Sequence, residues 1–498
     1  MNLLIDAWIP IQQTGVQEKI TLEQLLCDGK EVDLCLPRDD MELACLQLLV
    51  AITQVLFTPK DKKALGQRYK QPMQKETYLQ ACEGIYDWFD LNHPETPFMQ
   101  FRGVKSSAPT PMDKLMAGVA DGTNKTFINP QGLADGVCGG CAAIALFNTA
   151  NNCPSMGGGF KASLRGSTPI TVMIAGPTLR ETLWLNVLTE DSIQQEMPWY
   201  EERKEQSPNY VEGIKAAANI NASQIGLVQG LLWQPAHFEL CPLDVSVKCS
   251  CCGVVSDCYT GFNKEKFSYI IQGVWPHPLS ARTFVVAKGE KEYKFPSFTT
   301  TQPTWVHLAK LVCTLDKKTE GYEAAPVVKQ AKGLNIKRLE LIVGGYRNNQ
   351  ATVLERRHEL FSLSDGWQDK SVLVDQLIAQ AQEYKKALRK ALYIFGVGIK
   401  DRFAGAGVNL TNQYDVIFYQ QTESLIHDAL ATLHFSNPDN DLKQLYSQLK
   451  KIVLSLYEQA TAPYQQEPKM LKALAASRRL LSNKYLKDLE NSQGGSHE

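Results

Sequence analysis

The stretch Leu373-Val-Asp-Gln-Leu377-Ile-Ala-Gln-Ala381-Gln-Glu-Tyr384-Lys-Lys-Ala-Leu388-Arg-Lys-Ala-Leu392-Tyr-Ile-Phe395 divides the chain. Its apolar residues recur every third or fourth position, the period that puts them along one stripe of an α-helix. Similar segments occupy about 415–433, 441–460 and 467–490, separated by the breaks Gly405-Ala-Gly407, Asn437-Pro438 and Ala462-Pro463. Long amphipathic helices joined by short breaks predict an all-α four-helix bundle over residues 366–498. Working back toward the N-terminus, the pattern changes near residue 365. Short β-rich runs such as Ile170-Thr-Val-Met-Ile174 and Leu339-Glu-Leu-Ile-Val343 alternate there with helical stretches and turns rich in glycine and proline. Residues 1–365 therefore read as a large mixed α/β domain, and the whole chain as α+β. No internal repeat is present, and the final Gly494-Gly-Ser-His-Glu498 reads as a loose tail.

With 498 residues, 44% of them hydrophobic and 21% charged, the chain can bury two or three cores. The start, Met1-Asn-Leu-Leu-Ile-Asp6-Ala-Trp8, lacks a basic region before a long apolar run, and nowhere do 18 apolar residues follow one another. A cytoplasmic protein without a membrane partner is the expectation. The net charge of −1 excludes the general basicity of a histone-like DNA binder, so any nucleic-acid surface must be local.

Two cysteine pairs stand out, Cys138-Gly-Gly-Cys141 and Cys249-Ser-Cys251-Cys252. A CxxC turn lets two sulfurs face one ion, and two such turns supply the four thiolates of a structural Zn²⁺ site. Cys138, Cys141, Cys249 and Cys252 are the expected ligands. Cys251 competes with Cys252, which is preferred because it completes the CxxC spacing and precedes Gly253, a residue suited to a sharp turn. Disulfides are the alternative, disfavoured in a chain expected to occupy a reducing compartment. Cys27, Cys35, Cys45, Cys82, Cys153, Cys241 and Cys313 read as buried thiols. Four thiolates would leave no open metal position, which argues against catalytic zinc.

Three polar segments follow from residue type. Met156-Gly157-Gly158-Gly159-Phe160-Lys161 offers a backbone that can approach a phosphate or groove edge, but it lacks the Gly-Lys-Ser/Thr of a Walker A loop. Tyr259-Thr-Gly261-Phe262-Asn263-Lys264-Glu265-Lys266 follows the second knuckle, where a pinned turn could present Lys266, though surface lysines are usually only solvated. Gly344-Gly345-Tyr346-Arg347-Asn348-Asn349-Gln350 carries amide side chains suited to reading base edges. The plainer reading of the last is a capped turn opening a helix through Leu354, Arg356 and Arg357.

The run Leu3-Leu-Ile-Asp-Ala-Trp-Ile-Pro10, the segment Leu36-Pro-Arg-Asp-Asp-Met-Glu-Leu-Ala44, both knuckles, Gly230-Leu-Leu-Trp-Gln-Pro-Ala-His237 and the Gly344–Gln350 segment occur in an order that resembles CasA, the large subunit of the type I-E CRISPR surveillance complex Cascade. The resemblance implies a non-enzymatic protein that tests double-stranded DNA for the protospacer-adjacent motif, begins strand opening and R-loop formation, and recruits a separate helicase-nuclease. Guide RNA pairing reads the target itself. By the same resemblance, Gly157, Gly158 and Gly159 form the glycine loop, Lys266 the lysine finger, and Asn349 and Gln350 the wedge, all acting in the minor groove. Phe127, Asn129 and Pro130 fall on the loop that touches the crRNA 5′ handle and the neighbouring backbone subunit; a buried Phe127 is the alternative. Lys161, Lys264 and Arg347 are candidates for DNA backbone contacts. Lys385, Lys386, Arg389 and Lys390 form a basic helix face that could meet displaced strand or the small subunits, or simply be solvated. The expected partners are the crRNA-bound backbone and small subunits, the target duplex and the helicase-nuclease.

Two other classes compete. A zinc hydrolase would need an open site, but His358-Glu359 lacks the second histidine of HExxH. A zinc-stapled scaffold without DNA contact is the remaining alternative.

Overall fold

The computed structural model describes residues 1–119, 133–203, 218–242 and 245–494 and mixes helix with strand throughout. Two compact units emerge. The first comprises Met1–Thr300, Thr314–Asn335 and Glu340–Leu360, and the second Thr301–Cys313, Ile336–Leu339 and Phe361–Glu498. The division thus falls five residues before 365, and two earlier segments join the second unit. Side-chain burial accounts for those excursions. Trp305 meets Tyr419 edge-on at 5.9 Å, the Trp367 indole donates to the Ile336 carbonyl at 3.0 Å, and the Cys313 thiol lies 2.9 Å from the Ser371 carbonyl. None of these pairings is visible to a local periodicity.

In the first unit, helix Asp39–Phe57 is apolar on nearly every side and packs against Gly139–Asn151, a second helix with almost no polar face. A helix hydrophobic all round belongs inside a protein or a membrane. Asp39–Phe57 is long and apolar enough to cross a bilayer, but 83% of its most apolar window is buried inside the protein, so it is a core helix. Small sheets surround this pair. Val255–Tyr259 lies between Val137–Cys138 and Val245–Lys248; Gly261–Glu265 lies between Thr110–Pro111 and His237–Leu240; Leu339–Asn349 lies between Thr352–Leu363 and Thr171–Ile174. The first two are antiparallel, with Cys258 opposite Cys138 and Glu265 opposite His237.

A polar knot sits within the same core. The Arg165 guanidinium is buried and donates to Thr171, Ser280, Gln47, the Asn151 carbonyl and Asn152, all neutral acceptors. Burial lowers its pKa to about 9. Beside it, burial first and the Arg165 charge second push the His277 imidazole well below its usual range. His277 Nδ1 accepts the Leu279 N–H at 3.1 Å. Unfolded His277 takes a proton below about pH 6.5 while the folded residue does not, so folding stability falls as pH drops through that value, by up to about 1.4 kcal/mol per pH unit. Urea unfolding at pH 7 and at about pH 5.5 is expected to show this loss. His277→Gln should make the slope shallower, and an unchanged slope would contradict the assignment.

The second unit is built on helix Val372–Val397, which packs against Thr411–Thr432, Asp439–Thr461 and Leu471–Leu480. Its buried stripe includes Leu377, Ala381, Tyr384, Leu388, Leu392 and Phe395, as the spacing predicts. The last helix continues through a π-turn, Leu481–Tyr485, into Leu486–Gly494. Val372–Val397 ends at Gly398, whose φ of +85° suits a residue without Cβ. Gly398–Ile399 then pairs with Phe403–Ala404, so residues 366–498 are not wholly α as the sequence predicts.

Candidate functional site

The two knuckles meet where strand Val137–Cys138 enters helix Gly139–Asn151 and where the turn after Lys248 reverses the chain. The first knuckle needs its glycines. A Cβ on Gly140 would lie 2.8 Å from the Trp8 Cβ and 2.9 Å from the Trp8 carbonyl oxygen, and one on Gly139 would meet the Met1 sulfur at 2.8 Å. The N-terminal segment therefore packs directly on this turn. In the second knuckle the Gly253 N–H donates to the Cys249 carbonyl at 2.9 Å, and Gly253 adopts φ +75°.

The ligand atoms of Cys138, Cys141, Cys249 and Cys252 all lie within 4.8 Å of one another, so the four can hold a metal ion. A tetrahedral ion with bonds near 2.3 Å sets its sulfurs about 3.8 Å apart. Cys138 and Cys252 are 3.7 Å apart. Cys251 lies beside the group but outside it, with its sulfur 4.0 Å from that of Met116 and its N–H pointing at the Cys249 sulfur at 3.4 Å. Cys252 is thus the member that joins the group. Cys138 and Cys141 are at most 2% exposed. Hydrogen bonds from Cys138 and Cys141 hold the Cys252 thiol down at about 6 and push Cys249 below the usual thiol range as well. Cys141 moves upward because it shares protons first with Cys138 and then with its other neighbours. Neighbouring protons and the Lys19 ammonium, 3.0 Å from the Cys138 sulfur, neutralise the negative charge on these sulfurs, the task a cation performs in such a site. Burial alone would depress the Lys19 pKa, but the charge and hydrogen bond of Cys138, together with Cys141 and Cys252, more than offset it and the net shift is upward. Lys19, on strand Val16–Ile20, has no sequence signal that marks it for this role.

A second grouping lies in the same unit. The glycine loop, the end of strand Gly261–Glu265 and the tip of the hairpin Leu339–Asn349/Thr352–Leu363 converge. Lys266 Nζ donates to the Gly158 carbonyl at 2.9 Å, across 108 residues of sequence. Two residues earlier, Lys264 Nζ sits 5.5 Å from the centre of the Phe160 ring. At the other side of the loop, a Cβ on Gly157 would stand 3.5 Å from that of Ala351. Gly157, Gly158 and Gly159 have φ of +74°, +55° and +92°, a left-handed run that favours glycine. A side chain on Gly159 would press within 3.3 Å of Lys266 Nζ, whereas Gly158 has open space where its Cβ would be. Phe267 stacks on His237 at 4.4 Å, and the Phe101 ring lies tilted against His237 at 3.9 Å, which anchors the chain just past Lys266.

The Gly344–Gln350 segment opens no helix. It is the outgoing end of a strand, and Leu354, Arg356 and Arg357 lie on the return strand, as does His358-Glu359. Burial alternates along Leu339–Val343 and, more loosely, along the return strand, so period two wins over the helical reading. Asn349 and Gln350 are exposed at the tip.

The candidate backbone contacts separate by environment. Lys161 is exposed, whereas Arg347 is engaged with Glu355 at 2.7 Å. Within the second unit, Lys385 donates to the Tyr419 hydroxyl at 3.0 Å, Arg389 pairs with Asp415, Lys386 pairs with Glu383 at 2.5 Å, and Lys390 lies 5.7 Å from the Tyr485 ring centre. That face is substantially neutralised by its own neighbours. Phe127, Asn129 and Pro130 lie outside the described residues.

Comparison with known proteins agrees with this architecture. A CasA/Cse1 protein of Thermus thermophilus is 26% identical over 131 residues, a match spanning 26% of each chain. The crystal structure of Cse1 from Thermobifida fusca superposes with a TM-score of 0.74 at 17% identity, covering 100% of this chain and 99% of that one. A chain from a structure described as a CRISPR RNA-guided surveillance complex superposes at 0.63 with 14% identity, covering 97% and 99%. The family described as CRISPR-associated protein Cse1 matches residues 2–456, and the chain belongs to that family.

Proposed function

We propose that this chain is the non-catalytic large subunit of a crRNA-guided DNA surveillance complex, which reads the protospacer-adjacent motif through the minor groove and starts strand separation. The observation that carries this reading is the convergence of the glycine loop, Lys266 and the Asn349–Gln350 tip, with Lys266 Nζ 2.9 Å from the Gly158 carbonyl. Family membership and the similar fold of a surveillance-complex chain support it.

The proposed chemistry follows from the groove. The minor groove offers mainly adenine N3 and thymine O2 as acceptors, which a lysine ammonium can reach without distinguishing A·T from T·A. Reading is therefore degenerate. Gly158 can bring bare backbone close to a base edge, and a guanine amino group in the wrong place would clash or lack an acceptor. Gln350 would enter between base pairs, unstacking them at a cost of a few kcal/mol, which guide pairing then offsets.

The four cysteines would hold a structural Zn²⁺, whose binding free energy becomes folding free energy of the first unit. With every position filled by sulfur, no water is activated there. The second unit reads as a four-helix bundle. In the cytoplasm, the partners would be crRNA-bound backbone and small subunits, the crRNA 5′ handle, target DNA and a recruited helicase-nuclease.

Gln350→Ala tests the wedge. With the reconstituted guide complex and 2-aminopurine in the first target pairs, strand opening is expected to slow by about tenfold or more. Assembly, followed by size-exclusion chromatography, should not change. Normal opening by the variant would count against the wedge, and lost assembly would favour a scaffold role without DNA contact.

A further inference from the structure

We infer that Asn348 is the positioning residue of the hairpin tip, a role that rests on the reading of Gln350 as a wedge. Its carboxamide is the junction between two loops. Asn348 Oδ1 accepts the Thr168 hydroxyl at 2.7 Å, while Nδ2 donates to the Gln350 carbonyl at 2.6 Å and to the Ser167 hydroxyl at 3.1 Å. One side chain thus fastens the tip carrying Gln350 to the segment that leaves the glycine loop.

Both attached residues hold backbone conformations that L side chains rarely adopt. Thr168 has φ +49° and Gln350 φ +53°. For a β-branched residue such as Thr168 this is an outlier, and neither position is the glycine that would adopt it freely. Such conformations persist where surrounding interactions over-determine them, and they cluster at functional sites. Here the over-determining group is the Asn348 amide, which engages Thr168 through its oxygen and Gln350 through its nitrogen. Thr168 itself is fully buried, so the loop to which the tip is fastened is packed into the core at that residue. Farther down the hairpin, Gly345 brings the strand so near the same segment that a Cβ there would lie 2.9 Å from the Pro169 carbonyl oxygen. The Tyr346 hydroxyl, donating to Asp40 at 2.9 Å and accepting from Asn148 at 2.7 Å, fixes the hairpin base.

An unpaired wedge would have to order its turn during insertion, adding its conformational entropy to the cost of unstacking. With Asn348 in place the turn is already set. The chemistry is specific to an amide: aspartate keeps the acceptor for Thr168 but loses both donors, so it should restore little.

Two measurements separate this inference from the wedge reading. The first needs no DNA: amide exchange at residues 349–352 of the free chain is expected to speed up by roughly tenfold in Asn348→Ala, with the unfolding temperature nearly unchanged. Unchanged exchange at the tip would overturn the inference whatever Gln350 does. The second is a double-mutant cycle on strand opening. Asn348→Ala should slow opening of a closed duplex by about tenfold, leave binding to a duplex already open at its first target pairs within about twofold, and add nothing to Gln350→Ala. Multiplying effects in the double variant would overturn the claim that Asn348 acts through Gln350. A harmless Gln350→Ala would overturn the wedge itself, even if the exchange result stood.

Discussion

Replacing Cys138, Cys141, Cys249 and Cys252 together by serine is expected to unfold the first unit or leave it loosely packed. The four sulfurs join the strand–helix corner at residues 137–141 to a turn more than a hundred residues later. Trp8 and Met1 are packed against the glycines between the first pair. Losing the centre therefore releases the N-terminal segment, the start of a core helix and the sheet formed by Val137–Cys138, Val255–Tyr259 and Val245–Lys248 at once. A structural metal contributes its binding free energy to folding, and serine hydroxyls are poor replacements for thiolates, so a loss of at least about 3 kcal/mol is expected. Chelation of the wild-type chain should reproduce the effect and added Zn²⁺ should reverse it. Thermal unfolding and near-UV circular dichroism read both arms, and a quadruple variant that unfolds at the wild-type temperature would sink the structural-metal proposal.

Lys266→Ala is expected to have the second large effect, which under the proposed function falls on recognition rather than folding. The side chain is exposed, and its hydrogen bond to the Gly158 carbonyl leaves the ammonium donor capacity for a further acceptor. That bond also pre-aims the lysine, which has rotamer freedom to lose when it binds. A hydrogen bond from a charged donor contributes about 1.5–3 kcal/mol, so affinity for a duplex with its preferred flank should fall by roughly 10- to 100-fold. Binding to unrelated duplexes, which rests on phosphate contacts, should weaken by much less. The unfolding temperature should stay close to wild type. Equal weakening on every duplex would instead make Lys266 an ordinary phosphate contact.

What could be read from sequence divides by range. The stripe from Leu377 to Phe395 is a local pattern and appears in the structure as a buried helix face. The CxxC spacings are local too, and they name the four cysteines that come together, with Cys251 left out of the group by the fold. Contacts across long separations leave no such trace. Lys19 reaches Cys138 across 119 residues, and Asn348 reaches Thr168 across 180. The Gly344–Gln350 segment is ambiguous for a different reason. A run of amides between apolar stretches fits a capped helix as readily as a hairpin until the alternation through Thr352–Leu363 is weighed. On the helix face, the cations Lys385 and Arg389 look unpaired in sequence because their partner Asp415 is brought from another helix by folding, whereas Lys386 pairs with Glu383 one turn back on its own helix.

The most direct test of motif reading is a selection at physiological salt. The guide complex, reconstituted with and without this chain, is offered duplexes that carry a matched target beside a randomised flanking trinucleotide, and the retained flanks are sequenced. Retention of a restricted set of flanks only when the chain is present, and loss of that restriction with Lys266→Ala, is the expected result. Equal retention of all flanks in the presence of the chain would contradict it and leave the protein a metal-stapled scaffold.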